Sequence, residues 1–258
     1  MQNVRPSSLS RTALVTGGAA GLPRGIAVAL ARDGFNVHIT YRPGGTSPER
    51  TTQAIEAEGV ATSAHAVDFL AAPEKVAAQL DEIARKIAVD VLVHGVGPMV
   101  VKRFERATLE NYDAMVNGNL RSAVQAAAAL LPGMRERKFG RMIFFGMSGS
   151  SITMPARGLS LYTAAKSGVV AFARTLALEE GRYGITAHVV QPGDIREKER
   201  SRSDARARSA ENAVGRPGTW EDVADAVRFL VREDADYLTG TVLDVGGGLT
   251  GAYESKSP

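Results

Sequence analysis

Residues 16–25 read TGGAAGLPRG, and the fold turns on what this stretch does. It follows the apolar run TALV and leads into residues 22–34, where apolar side chains recur at helical spacing up to Gly34, a good helix stop. Glycines this dense between a strand and a helix permit a tight turn. They also let backbone N–H groups approach a pyrophosphate at the positive end of the helix. Pro23 stands where another glycine is expected. Its fixed φ suits the first helical position, but it has no N–H to give and its ring takes up room. The loop reads as altered and not destroyed, with Arg24 beside it as a source of charge. Alone, such a turn is a weak signal, the lesser alternative being an ordinary strand-to-helix connection.

Outward from the loop, strand-like and helix-like segments alternate. Strands are expected at 12–16, 36–40, 61–68, 89–95, 140–146, 185–193 and 241–248. Helices are expected at 22–34, 47–59 (with Ser47 as N-cap and Pro48 in the first turn), 72–87, 108–134, 161–181 and 219–231. Several strands are apolar on both faces, as in a parallel sheet covered on both sides. The expected fold is a single-domain α/β, doubly wound Rossmann-type architecture with about seven parallel strands. One domain spans 1–258, with 1–10 as a flexible N-terminus.

Composition narrows the function. The chain has 258 residues, 44% hydrophobic, and no cysteine, so disulfides, a thiolate nucleophile and cysteine-type zinc sites are excluded. No stretch reaches the ~20 apolar residues of a membrane span, and the N-terminus lacks a signal-peptide core. The expectation is a cytoplasmic protein with no metal. The net charge of +3 gives no case for nucleic acid. The one densely charged run, REKERSRSDARAR (196–208), mixes signs and reads as a solvated face or a lid.

Ligands of doubly wound folds bind at the carboxyl ends of the strands. After the second strand comes YRPGG (41–45), with no acidic residue anywhere in 36–48. Tyr41 and Arg42 are therefore cofactor candidates, and Arg42 is placed to take a 2′-phosphate, favouring NADP(H) over NAD(H). Asp68, after the third strand, is placed for the adenine or for capping the next helix. LYTAAKSG (161–168) sets Tyr162 and Lys166 four apart on one helix face. A neighbouring ammonium lowers a tyrosine's pKa and fits it for proton transfer to a carbonyl.

Taken together, Thr16-Gly17-x-x-x-Gly21, Tyr162-x-x-x-Lys166 and Pro192-Gly193 fall in the order and spacing of the short-chain dehydrogenase/reductase family, which the sequence resembles over nearly its whole length. LDVGGG (243–248) and the length point to its 3-oxoacyl-ACP-reductase-like group. The resemblance implies Tyr162 as general acid/base and Lys166 as its partner on the nicotinamide ribose. Asn119 would hold a relay water, with Asn117 as rival. Ser148 would bond the substrate carbonyl, with Ser150 and Ser151 open. Gly17, Gly21, Leu22, Phe69, His94, Gly95, Pro192, Gly193 and Ile195 complete the expected cofactor set.

The family's Asn-Asn-Ala-Gly reads His94-Gly95-Val96-Gly97 here, Pro23 replaces a glycine, and Glu197 occupies the stretch where a threonine is usual. His94 bonds near the adenosine ribose or is a buried structural histidine. The implied activity is NADPH-dependent reduction of a small-molecule or acyl-carrier-bound carbonyl, or the reverse oxidation. The alternatives are a non-catalytic dinucleotide-binding protein and a pteridine or enoyl reductase. Residues 150–160 (Met154, Pro155, Leu159) and a lid at 194–215 would shape the substrate pocket. A homo-oligomer, tetramer or dimer, would form through the long helices 108–134 and 161–181.

Overall fold

A computed structural model describes residues 10–193, 195 and 199–248. The expectations that fall on 1–9 and on Glu197 lie outside the described residues, and the proposed lid is described only in part.

The strands are β1 (Thr12–Thr16), β2 (Asn36–Tyr41), β3 (Thr62–Ala66), β4 (Val91–His94), β5 (Gly140–Phe145), β6 (Ile185–Pro192) and β7 (Val242–Val245). They form one seven-stranded sheet in the order β3-β2-β1-β4-β5-β6-β7, with every pairing parallel. The strand order reverses between β1 and β4, which opens a crevice at their carboxyl ends.

Side chains alternate across this sheet with the period of two that strands impose. Leu14, Leu92, Met142 and Phe144 pack on one face against α3 (Pro73–Lys86), α5 (Ser122–Arg137) and α6 (Ser160–Glu180). Ala13, Val15, Val93 and Ile143 pack on the other against α1 (Gly21–Arg32), α2 (Glu49–Glu56) and α8 (Trp220–Leu230). Two covered faces explain why the strand sequences are apolar almost throughout.

Three boundaries differ from the sequence expectation. α1 begins at Gly21, so Pro23 sits at its third position, where an N–H would have no intrahelical partner anyway. α2 begins at Glu49; Ser47 still serves it, its Oγ accepting from Glu49 N at 3.3 Å. The largest difference is at 108–134. Instead of one helix there are α4 (Leu109–Met115), a π-helical stretch Val116–Arg121, and then α5. π turns insert a residue, re-aim side chains and free carbonyls, and they recur at functional sites. Asn119 lies in this one.

The described part of residues 194–215 contains α7 (Arg202–Arg206). It is tied down: the Arg202 guanidinium bridges Asp222 at 3.0 Å and Asp225 at 2.5 Å on α8. Glu199 also reaches Arg50 of α2 at 3.2 Å. Among the described residues no helix is long and apolar enough to cross a membrane, and no acidic, histidine or cysteine group of three forms a metal cluster.

Candidate active site

Two glycines carry the loop after β1. Gly17 and Gly21 both have positive φ, +69° and +62°, a region that side chains rarely enter. The expectation that these glycine amides face a phosphate is only partly right. Gly17 N–H donates to Thr40 Oγ1 at 3.2 Å and Gly18 N–H to Thr40 O at 3.0 Å. Those donors fasten the loop to the end of β2, beside Tyr41 and Arg42. α1 has no side-chain cap, so the amides of Gly21 and Leu22 remain as donors at the positive end of the helix.

The family departures Pro23 and Gly95 meet in space. A Cβ on Gly95 would lie 2.3 Å from Pro23 Cγ and 2.7 Å from the Thr16 carbonyl oxygen. The proline therefore requires a residue without a side chain opposite it. Gly95→Ala is expected to destabilise the fold by about 2 kcal/mol through overpacking. Pro23→Gly in the same chain should recover part of this but not all, because the Thr16 carbonyl stays. Thermal melts of the two single variants and the double variant check it; strict additivity would contradict the contact.

Arg42 is exposed and forms no ion pair among the described residues. Asp68 Oδ1 accepts from Leu70 N at 3.1 Å, capping the turn after β3 and not α3, whose N-cap is Ala72. The Phe69 side chain does not reach the crevice. It is buried in the core, edge-to-face with His94 at 5.5 Å between ring centroids. Of the two readings open for His94, the structure agrees with the buried structural histidine. It is buried, with Thr16 Oγ1 on Nδ1 at 3.0 Å and Ser122 Oγ on Nε2 at 2.9 Å, leaving nothing for a ribose. Burial pushes its pKa down to about 3, with the Lys166 charge adding to the effect, so it stays neutral.

Pro192 closes β6, and Gly193 N donates to Val245 O at 3.0 Å. A Cβ on Gly193 would stand 2.6 Å from Gly246 Cα, which gives the glycines of LDVGGG a packing role. The Ile195 side chain is buried in the core under α1 and α8.

Three residues of the proposed proton machinery converge at the ends of β4 and β5. A Cβ on Gly97 would lie 2.9 Å from Asn119 Oδ1 and 3.0 Å from Lys166 Nζ. Asn119 is buried and its Nδ2 donates to Pro98 O at 3.0 Å and Met115 O at 2.9 Å. Its Oδ1 has no partner among the described residues. Asn117 is half-buried and is not brought to this group. Lys166 Nζ donates to Phe145 O at 2.8 Å and stands 5.6 Å from the Tyr162 ring centroid.

The electrostatics differ from the sequence expectation. Burial pushes Tyr162 up to about 12 and Lys166 down to about 7. The ammonium does not lower the tyrosine's pKa in this arrangement, because it is itself desolvated and turned toward the Phe145 carbonyl.

The three serines separate cleanly. Ser150 is built into the loop: its Oγ accepts from Met147 N at 3.2 Å and bonds buried Gln191 at 2.8 Å. With the Gln191 amide turned to satisfy its neighbours, its oxygen accepts from Ser150 Oγ and Ser151 N and its nitrogen donates to Asp244 and Met147 O. The half-buried Ser148 hydroxyl has no side-chain hydrogen bond among the described residues. Gln191, absent from the sequence reading, thus braces the backbone on both sides of Ser148; its burial beside a serine-rich loop is not legible in the sequence.

The residues present fit a dinucleotide, with bare amides at the start of α1, an exposed cation after β2, and an unpartnered Oδ1 beside a buried amine at Gly97. A doubly wound sheet with such a crevice and a Tyr-x-x-x-Lys helix beside it defines a nicotinamide-dependent oxidoreductase. The chain belongs to the short-chain dehydrogenase/reductase family: a family model described as enoyl-(acyl carrier protein) reductase matches residues 17–250. It acts between CH–OH and C=O and uses NAD(P)(H).

The 3-oxoacyl-[acyl-carrier-protein] reductase MabA of Mycobacterium tuberculosis is 35% identical over 255 residues, 96% of each chain. The 3-oxoacyl-[acyl-carrier-protein] reductase FabG of Escherichia coli is 32% identical over 247 residues, 93% of this chain and 97% of that one. The crystal structure of acetoin dehydrogenase YohF from Salmonella typhimurium superposes with a TM-score of 0.85 at 26% identity, covering 96% of this chain and 99% of that one.

Proposed function

We propose that this chain is an NADPH-dependent reductase of a 3-oxoacyl-type ketone, with Tyr162 as the proton donor. The observation that carries the reading is the convergence of Asn119 Oδ1 and Lys166 Nζ on Gly97, one helical turn along α6 from Tyr162. The curated relatives MabA and FabG, named for reduction of 3-oxoacyl carriers, support the substrate class.

The dinucleotide supplies a hydride when bound. Gly21 and Leu22 amides hold its diphosphate against the end of α1, and Arg42 takes the 2′-phosphate. Ser148, whose hydroxyl the protein leaves unengaged, orients the substrate carbonyl. As the carbonyl carbon receives the hydride, its oxygen takes the proton from Tyr162 Oη, giving an alcohol. Asn119 Oδ1 and Lys166 Nζ hold a water between them that returns a proton to Tyr162. A tyrosine pushed up to about 12 stays protonated at neutral pH and is ready to donate.

The substrate is presented on an acidic acyl carrier, which the basic-leaning segment 196–208 suits. The chain assembles as a homo-oligomer; the exposed Leu109, Tyr112 and Val124 on α4 and α5, and Leu178 on α6, support an interface there.

The test is a titration of wild type and Arg42→Ala with NADPH and NADH. Arg42→Ala is expected to weaken NADPH about tenfold or more, the usual scale for losing a charge-assisted contact, and to leave NADH unchanged. Equal weakening of both would remove Arg42 from the 2′-phosphate site. No binding of either would favour a protein that kept the fold and lost the cofactor.

A further inference from the structure

We infer that His94 is a positioning residue, which fixes the π-helical stretch carrying Asn119 by directing the Ser122 hydroxyl onto its loosened carbonyls. The inference rests on the reading of Asn119 given above.

One set of protons satisfies every bond of the chain that runs through His94. In that set Thr16 Oγ1 accepts from Gly95 N at 3.1 Å and gives its own proton to His94 Nδ1 at 3.0 Å. Ser122 Oγ gives its single proton to Gly118 O at 2.8 Å, shared with Asn119 O at 3.3 Å. With that proton directed at the carbonyls, Ser122 Oγ accepts from His94 Nε2 at 2.9 Å. In this set the imidazole is taken as the Nε2–H tautomer, in which all the bonds in the series point from the glycine loop toward the π turn. Thr16, His94, Ser122 and Asn119 are all buried, so no water substitutes for a missing link.

The π stretch is where such a link matters. The carbonyls of Gly118 and Asn119 lie in a turn wider than an α-helix, where the usual i+4 ladder is interrupted. A hydroxyl free to rotate can leave them; one held by an imidazole N–H cannot. The same stretch aims Asn119 Oδ1 at Gly97 and Lys166. The histidine, in a place where the family pattern has asparagine, thus spans from the cofactor loop to the relay residue.

The two nitrogens can be tested separately. An asparagine amide overlies Nδ1 and keeps only the Thr16 link; a glutamine amide reaches the Nε2 position and keeps only the Ser122 link. His94→Asn is expected to lower kcat about tenfold, with NADPH affinity and KM within about twofold, since the loss of one buried hydrogen bond is worth roughly that factor. Ser122→Ala should match it, and the double variant should be no worse than either single, because both remove one link. His94→Gln should keep most of the wild-type kcat.

Amide hydrogen exchange of residues 116–123 reads the same link without turnover: faster in His94→Asn and Ser122→Ala, near wild type in His94→Gln. A merely structural histidine would instead give additive losses, and glutamine and asparagine would lower melting temperature and kcat together. Equal exchange in His94→Asn and His94→Gln overturns the inference. Wild-type protein without reductase turnover, but with the exchange pattern above, would sink the proposed reaction and leave the positioning role standing.

Discussion

Tyr162→Phe is expected to lower kcat for carbonyl reduction about a thousandfold, within the 10²–10⁴ range of general acid catalysis, while NADPH still binds. The tyrosine hydroxyl has no hydrogen-bond partner among the described residues, so its removal leaves no buried group stranded. The fold should therefore be unaffected, with a melting temperature within about one degree of wild type. The result separates chemistry from structure: kcat collapses while cofactor affinity and stability hold. Activity retained at a tenth or more of wild type would move the proton donor elsewhere, with Ser148 as the remaining hydroxyl. Steady-state kinetics with a cofactor titration on the same preparation decide it.

The second large effect concerns Lys166. A buried amine whose pKa is pushed down to about 7 destabilises the folded state, because burial disfavours its charged form. Between about pH 7 and the ordinary lysine value near ~10.4, the unfolded chain holds this proton and the folded chain has lost it. Where the unfolded state binds more protons, stability rises with pH; below about 7 both states are charged and the whole cost is present.

Lys166→Met is therefore expected to be more stable than wild type at pH 7, by about 1–2 kcal/mol after the loss of the bond to Phe145 O. That corresponds to about 3–6 °C for a chain of this length. The gap should narrow as pH rises to 9.5, as the wild type sheds the buried charge. Turnover should fall at least a hundredfold. Urea unfolding of both proteins across pH 6.5–9.5 measures it, and a destabilised Lys166→Met with a pH-independent gap would show that the amine is not a buried charge. Stability given up at a functional group is the expected trade.

The sheet was legible because its strands obey a simple rule. Ala13 and Val15 face one layer and Leu14 the other, and both layers are covered, so the central strands carry apolar residues on both faces. Tyr162 and Lys166 were legible because a separation of four on a helix fixes a shared face. The π turn was not, because an alanine-rich helix keeps its apolar character when one residue is inserted. Gly118 was the available signal: flanked by Asn117 and Asn119, it is a poor helix residue, and a Cβ there would sit 2.4 Å from Pro98 Cγ.

Which of its two readings His94 takes was not legible for a related reason. Its place at a strand end suggested a ligand, whereas its depth is set by Phe69 and Phe144, which come from distant parts of the chain. The sequence reads Pro23 as an alteration of the loop; what it cannot show is the side-chain-free Gly95 that lies against its ring. Spacing placed Tyr162 and Lys166 together but carries no information on the desolvation that pushes the tyrosine's pKa up.

The most direct measurement mixes the purified protein with NADPH and a 3-oxoacyl pantetheine thioester and follows nicotinamide absorbance together with the acyl product. The account predicts loss of NADPH matched mole for mole by a 3-hydroxyacyl thioester, abolished in Tyr162→Phe. NADPH bound but not consumed by 3-oxoacyl substrate, or consumed only when an enoyl thioester is offered, would contradict it.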